Sequence, residues 1–211
     1  MREVPTLDEL PPFTDSATYW ESRYALGQNS GVGSYAELAA FKADVLNAFV
    51  AEHRIASVLE LGCGDGNQLR LAHYPSYQGF DVSPTAVQLC RKAFRWDRRK
   101  SFEVYEPARF AQQRPRAELT LSLDVVFHLV EDEVFVQHLS DLFDAAERFV
   151  CVYATNQVTP DIGDHVRHRR FTDWVEAHRP QWQVVRHVPN PHRGALEGAV
   201  SDFWFFTPVR G

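Results

Sequence analysis

A doubly wound α/β fold, with a mostly parallel seven-stranded sheet, a terminal antiparallel hairpin and an N-terminal helical cover, is what the 211 residues predict. Three observations carry this expectation. Short apolar runs alternate with amphipathic segments along most of the chain. The first strand-like run, Ala56-Ser-Val-Leu-Glu-Leu61, opens directly into a glycine-rich turn, Gly62 to Gly66. The last two runs follow each other with only a loop between them. Such alternation gives parallel strands covered by helices on both faces, because each parallel crossover needs a connection of helix length. At this length the chain buries one substantial core and has little room for two ordinary domains. The expected division is an N-terminal arm and helical cover or lid over residues 1–54 and an α/β domain over 55–211, forming one structural unit.

Taken in order, residues 1–15 are rich in proline and acid and read as an irregular arm. Ser16 is placed to cap a helix running to Leu26. Gln28-Asn-Ser-Gly-Val-Gly-Ser34 has the composition of a loop, with glycines that permit positive φ and Asn and Ser that bond local backbone. Its Ser30–Ser34 part has two readings, a lid over the site or a plain connector. From Tyr35 to His53, Leu38, Phe41, Val45, Leu46, Phe49 and Val50 recur near the helical period, so this helix should lie against a core. The strand at 56–61 and its glycine turn lead to a helix expected from Asn67 to His73. A second strand spans Tyr77 to Val82. Ser83 and Pro84 then signal a helix start, continued through Val87, Leu89, Cys90 and Ala93. Phe102–Tyr105, Glu118–Leu123 and Phe149–Ala154 are the third to fifth strands, with a helix between the last two over Glu131–Glu147. A helix at Phe171–Ala177 precedes the closing strands, Trp182–Val188 and Phe203–Thr207, which the loop Pro189–Ser201 joins into the hairpin.

Hydrophobic residues at 45% and charged residues at 24% describe a chain that folds throughout. A net charge of -6 opposes general attraction to phosphate backbones, so no nucleic-acid partner is expected. The opening MREVPTLDELPPF lacks the basic and apolar regions of a signal peptide, and no uncharged apolar run approaches the ~18 residues of a membrane helix. A soluble, cytoplasmic protein without a membrane partner is expected. Cys63, Cys90 and Cys151 form no CxxC pair, which fits a reducing compartment and small buried residues rather than a zinc site or disulfides.

In an open α/β sheet the ligand lies at the carboxyl ends of the strands where the chain order switches, so the turn after the first strand is the place to look. It reads Glu60-Leu-Gly-Cys-Gly-Asp-Gly66. A dinucleotide fingerprint would need a third glycine where Asn67 stands. Glu60 and Asp65 would also repel a pyrophosphate and favour a ligand carrying an ammonium and a sulfonium. Asp81 ends the second strand 21 positions after Glu60, where nucleotide-binding sheets place a carboxylate against ribose hydroxyls.

VLELGCGDG resembles the first motif of the class I S-adenosylmethionine-dependent methyltransferase family, acid-x-Gly-x-Gly-x-Gly, and Gly79-Phe-Asp-Val-Ser83 resembles its second-strand acid. The resemblance covers Val58 to Ala154, and Tyr19-Trp-Glu-Ser-Arg-Tyr24 is similar to the YWxxRY-type opening helix of small-molecule members. It implies a Rossmann-like fold with S-adenosylmethionine as methyl donor and S-adenosylhomocysteine as product. Glu60 would face the methionine amino end, Gly62, Cys63, Gly64, Asp65 and Gly66 would lie along the cofactor, and Asp81 would hold the ribose. Val82, Leu123 and Asp124, with Tyr19, Trp20 and Arg23 from the opening helix, complete the implied cofactor set. At the third strand the chain departs from the family's usual acid beside the adenine, and Tyr105-Glu106 offers a candidate without a settled register.

Ser122-Leu-Asp-Val-Val-Phe-His-Leu129 is similar to the family segment in which the fourth strand ends in an acid and a His follows, which makes Asp124 and His128 the catalytic candidates. Methyl transfer needs an in-line approach, so the protein supplies orientation and, where needed, a proton acceptor. His128 reads either as a general base or as a residue lining the pocket. Asp124 reads as an orienting group, because an ordinary carboxylate is a weak base at neutral pH. Further on, His165-Val-Arg-His-Arg-Arg-Phe171 places five basic side chains in seven residues. One reading is recognition of a substrate carboxylate or phosphate by His165, Arg167, His168 and Arg170. The other is a solvated run paired with Asp161, Asp164 or Asp173. His165 and His168 have no evident third ligand, so no metal is expected. The fourth strand lacks an Asn- or Asp-Pro-Pro-aromatic sequence and the chain has no Pro-Cys, against a DNA base methylase.

The expected activity is transfer of a methyl group from S-adenosylmethionine to an oxygen or nitrogen of a small molecule, with anionic compounds and saccharides as candidates. The alternatives are an enzyme that uses the same cofactor for another outcome and a non-catalytic cofactor-binding subunit. Oligomeric state is left open by the sequence.

Overall fold

The computed structural model describes residues 11–158, 164–196 and 198–209. The first ten residues of the arm, and Asp161, lie outside the described residues. Helix α1, Ser16–Ala25, is capped by Asp15, whose side chain accepts from the Thr18 N–H. Ser16, the expected cap, lies one residue inside and turns its hydroxyl to the His128 carbonyl at 2.8 Å. A short 3-10 turn, Val32–Ser34, leads to α2, Ala36–Glu52. The strands and remaining helices are β1 Val58–Leu61, β2 Tyr77–Asp81, α3 Pro84–Ala93, β3 Lys100–Val104, α4 Pro107–Gln113, β4 Ala117–Leu123, α5 Asp132–Asp144, β5 Ala146–Ala154, α6 Phe171–His178, β6 Trp182–Val188 and β7 Asp202–Pro208.

The sheet order is β3-β2-β1-β4-β5-β7-β6. The first five strands are parallel to one another, β7 runs antiparallel to β5, and β6 runs antiparallel to β7. This is the mostly parallel seven-stranded sheet with a terminal antiparallel hairpin that the sequence predicts. Alternate strand residues serve opposite faces. Val58, Leu119, Leu121, Cys151 and Phe205 pack with Leu46, Phe49 and Val50 of α2 and Val87 of α3. Leu59, Leu61, Val150, Val152 and Phe206 pack with α5 and α6 through Leu139, Leu142, Phe143, Phe171 and Val175. Fully buried side chains such as Leu46 and Phe49 each contribute roughly 1.5–3 kcal/mol. Because β2 and β3 lie on one side of β1 and β4 on the other, the chain order reverses between β1 and β4. That is where a crevice opens.

Four local expectations are corrected. The helix expected at 67–73 is a single 3-10 turn, Gln68–Leu71, and the chain is already extended at Ala72. Pro75 disfavours helical backbone just ahead of it, leaving too few residues for a stable helix. Helix α4 was not foreseen, although Pro107 at its first turn is a start signal. β3 begins two residues earlier than expected, at Lys100. α5 stops at Asp144, because β5 starts at Ala146, paired with Ala117 of β4. Among the described residues no helix is long and apolar enough to cross a membrane. Cys63, Cys90 and Cys151 are free and buried.

Candidate active site

At the reversal point lies a cavity of about 250 Å³, walled by the turn after β1, the ends of β2 and β4, the start of α5 and the N-terminal segment. The turn bends sharply, with φ +88° at Gly62 and +55° at Gly64. A Cβ on Gly62 would sit 2.3 Å from Val125 Cγ2, and one on Gly64 would sit 2.4 Å from Ser30 Oγ. Both glycines are therefore required by neighbouring protein atoms, before any ligand is considered.

Three acids surround this turn, and they do different things. Glu60 is buried, its Oε2 accepts from the Tyr77 hydroxyl at 2.5 Å, and burial pushes its carboxyl up to about 7 against the smaller opposing pull of Tyr77 and Lys42. Asp81 is buried too. Its Oδ2 accepts from the Gly64 N–H at 2.8 Å and its Oδ1 from the Ser83 N–H at 2.9 Å, and burial outweighs these bonds to hold its carboxyl at about 6. Asp65 does not line the cavity. Its oxygens accept from the Ser30 and Asn67 N–H groups and the Tyr35 hydroxyl at 2.7 Å, while its own N–H donates to Ser30 Oγ. Asp65 thus binds the segment 30–35 to the glycine turn. Of the two acids of the turn, Glu60 lines the cavity and Asp65 does not.

Asp124, just beyond β4, has φ +57°, a left-handed conformation that Asp tolerates better than most residues. Its carboxylate is gripped from two distant elements. Lys42 of α2 pairs with Oδ2 at 2.9 Å, and the Ser201 hydroxyl donates to Oδ1 at 2.8 Å. Lys42 is 0% exposed and its Nζ lies 5.3 Å from the Tyr153 ring centroid. Sequence reasoning missed Lys42. Its signal was its place on the apolar stripe of α2, one turn after Leu38 and one before Leu46, where an unpaired lysine would be costly.

His128 ends a 3-10 turn, Val126–His128, and lines the cavity. Its Nδ1 lies 3.1 Å from the His165 carbonyl, which can only accept, so Nδ1 carries the proton and Nε2 the lone pair. Burial lowers this imidazole to about 4, leaving it neutral at pH 7. Trp20 meets His128 edge-on at 4.9 Å, and Tyr19 stacks on His165 at 4.5 Å. Arg23 is committed to the Asn29 carbonyl and the Tyr19 hydroxyl and does not reach the cavity.

The side chains of the basic run are engaged by groups of the protein itself. Arg167 and Arg169 donate to the Val130 carbonyl and pair with Asp132, and Arg169 also bonds the Leu129 carbonyl. His168 is buried against the Thr155 hydroxyl, and Arg170 is exposed beside Asp173 at 3.8 Å. These guanidiniums hold the turn after β4 in place. The carbonyls of that turn are a ready acceptor set, and spacing along the chain could not reveal them.

Of the residues singled out from sequence, the cavity gathers Trp20, Glu60, Gly62, Cys63, Gly64, Asp81, Val82, Leu123, Asp124 and His128. Tyr19, Arg23, Asp65, Gly66, His165, Arg167, His168 and Arg170 lie outside its lining. Of the pair Tyr105-Glu106, offered as a candidate beside the adenine, Tyr105 lines the cavity, and the structure adds Tyr24, Ser30, Ser34, Lys42 and Gln68. Among the described residues no group of three or more His, Cys, Asp or Glu is arranged to hold a metal ion.

No protein-family profile matches the chain, and no curated protein sequence does. Solved structures do match. The magnesium protoporphyrin IX methyltransferase of Synechocystis PCC 6803, with bound SAM, superposes with a TM-score of 0.65 at 15% identity, over 94% of this chain and 100% of that one. The methyltransferase domain of bacterial CtHen1-C gives 0.64 at 18%, over 80% and 97%. The N-methyltransferase NodS of Bradyrhizobium japonicum WM9, in complex with S-adenosyl-L-homocysteine, gives 0.61 at 15%, over 81% and 85%. At these identities the likeness is one of architecture, and the chain has the class I S-adenosylmethionine-dependent methyltransferase fold.

Proposed function

We propose that the protein transfers a methyl group from S-adenosylmethionine to an oxygen or nitrogen of an uncharged small molecule. The observation that carries this is the pair of buried carboxylates at the ends of adjacent strands, Glu60 in the last two residues of β1 and Asp81 the last residue of β2, beside the glycine turn. Each Asp81 oxygen takes one backbone N–H and has a second acceptor position, so two neighbouring hydroxyls, such as those of a ribose, match it. Val82, Leu123 and Tyr105 supply apolar wall for an adenine, and Glu60 an acceptor for an ammonium. Structures of this fold with SAM or S-adenosylhomocysteine bound support the same cofactor here.

When bound, the cofactor supplies a methyl group already activated by its sulfonium. The chain's own residues orient and deprotonate. An oxygen acceptor becomes strongly acidic as its new C–O bond forms, so even a base of low pKa suffices, and neutral His128 offers Nε2 toward the cavity. Asp124, held by Lys42 and Ser201, orients. Lys42 is the one Lys or Arg among the described lining residues and is paired, which favours a neutral acceptor, saccharides included, over an anionic one. The described residues of the 1–54 segment act as cover to those of the 55–211 domain. Glu21 of α1 bonds Ser83 and Thr85 at the start of α3, and Ser30 closes on Asp65. Calorimetric titration with S-adenosylmethionine, S-adenosylhomocysteine and NAD, repeated on Asp81→Ala, tests the proposal. Binding of the first two, lost in the variant, is expected, and binding of NAD alone overturns it.

A further inference from the structure

Away from the cavity, Arg91-Lys-Ala-Phe-Arg-Trp-Asp-Arg-Arg-Lys100 joins the end of α3 to the start of β3. It holds six basic side chains against one acid, in a chain of net charge -6. The cavity lies at the carboxyl ends of the parallel strands, so this stretch, at the amino end of β3, is at the opposite end of the sheet. Phe94 anchors the turn, its ring stacked on the buried Phe102 at 5.6 Å. Trp96, two residues on, stands outward and at 84% is the most exposed large apolar side chain among the described residues. Leu89 and Ala93, one helical turn apart on α3, are exposed as well. A single exposed apolar residue is ordinary, but a tryptophan this free, set among cations, marks a contact surface. Not all of those cations are engaged. Arg91 bonds the Phe102 carbonyl, and Arg99 and Lys100 pair with Asp97. Arg95 sets its guanidinium over the Trp96 ring, 5.3 Å from the centroid. The exposed Lys92 and Arg98 side chains have no partner among the described residues.

We propose that this turn is a docking surface for an anionic lipid bilayer, with Trp96 seated at headgroup level and Lys92, Arg95 and Arg98 against the lipid anions. The amphipathic indole ring favours the membrane–water interface, and each Lys or Arg near an anionic leaflet adds attraction. A bilayer presents a plane rather than a shaped pocket, which suits a ring that stands clear of the protein. Exposed Leu89 supports the same partner, because the boundary of headgroups and acyl chains rewards apolar contact and a phosphate backbone rewards charge alone. A single-stranded nucleic acid stacks on a succession of rings. Here Trp96 stands alone, with Arg95 over one face and Phe94 turned toward Phe102. The surface departs from the expectation of no membrane partner, which followed from the lack of an apolar span. Peripheral docking of this kind needs no spanning helix.

The experiment floats the full chain with vesicles of phosphatidylcholine alone or with about 30% phosphatidylserine, at about 0.1 M and about 1 M salt. Wild type should bind the anionic vesicles at least about tenfold more strongly than the neutral ones, and lose that preference at high salt, where screening shortens to about 3 Å. Lys92→Glu/Arg98→Glu, which breaks no bond within the protein, should weaken binding roughly 100-fold, and Trp96→Ala roughly 10-fold. Thermal unfolding of both variants should match wild type, since none of the three side chains is buried. Absence of binding to anionic vesicles at low salt, equal binding to both compositions, or variants that bind as wild type does would each overturn the proposal. An oligouridylate run in parallel, bound through Trp96 while the vesicles are not, would assign the surface to nucleic acid and overturn the lipid reading.

Discussion

Replacing Glu60 by Gln should flatten the dependence of stability on pH. Burial raises this carboxyl from its ordinary 4.5 to about 7 in the folded protein. Between those values the folded chain binds more protons at this site than the unfolded chain does, so stability falls as pH rises through the window. At about 1.4 kcal/mol per pH decade the gap is worth about 3 kcal/mol, fully expressed above about pH 8 and absent below about pH 4. Gln is nearly isosteric, stays neutral, and its carbonyl oxygen can accept the Tyr77 hydroxyl that Glu60 now accepts at 2.5 Å. Relative to wild type, Glu60→Gln should therefore gain about 3 kcal/mol between pH 4 and pH 8. Urea unfolding at stepped pH measures this, provided the slope with denaturant stays constant. A difference flat to within about 0.5 kcal/mol across that range would mean that Lys42 keeps Glu60 ionised in the fold, and would refute the assignment of burial as the dominant effect.

Gly62→Ala should cost about 2–5 kcal/mol, from the positive φ and the 2.3 Å approach to Val125, and adding Val125→Ala should return the steric part only; chemical denaturation of both variants reads it. Arg169→Leu should lower stability by about 1–3 kcal/mol through lost bonds to Leu129, Val130 and Asp132, whereas exposed Arg170→Ala should stay within about 0.5 kcal/mol. Thermal unfolding separates the two, and equal effects would contradict the structural role given to Arg169. The His128 ring should titrate near pH 4 in a proton NMR series, and a midpoint near the ordinary 6.5 would show that the imidazole is not shielded as described. Asp65→Asn should raise proteolytic cleavage within 28–35 while changing cofactor affinity less than about threefold, since its oxygens serve Ser30, Tyr35 and Asn67.

Strand positions were legible because periodicity and burial act over a few residues. Val58–Leu61 is buried at every position, and its apolar run said so. Strand ends were also legible, since Glu60 and Asp81 follow directly from where β1 and β2 stop. Partners were not. The bonds that define Asp124 come from Lys42, 82 positions earlier, and Ser201, 77 positions later, and no local pattern couples such residues. The basic run shows the same limit from the other side. Its charge density was plain, but its partners are carbonyls of Leu129 and Val130, a backbone property that residue types do not display. A buried lysine on an apolar helix stripe was the one long-range feature with a local signature.

The position of Asp65 changes the electrostatic argument for the cofactor. If repulsion of a pyrophosphate depended on two acids of the turn, removing one from the cavity would weaken the case against a dinucleotide. The cavity instead keeps Glu60, Asp81 and Asp124 on its walls against a single Lys42, which Asp124 already compensates. A pyrophosphate brought to the turn would meet the Gly64 N–H already donating to Asp81, so the backbone donor that a phosphate needs is in use. After β1 the chain forms only a 3-10 turn, without the long helix whose N-terminus stabilises phosphate in dinucleotide sites. Selection against phosphate thus follows from two features of the backbone as much as from charge, and it survives the loss of Asp65 from the ligand's side of the turn.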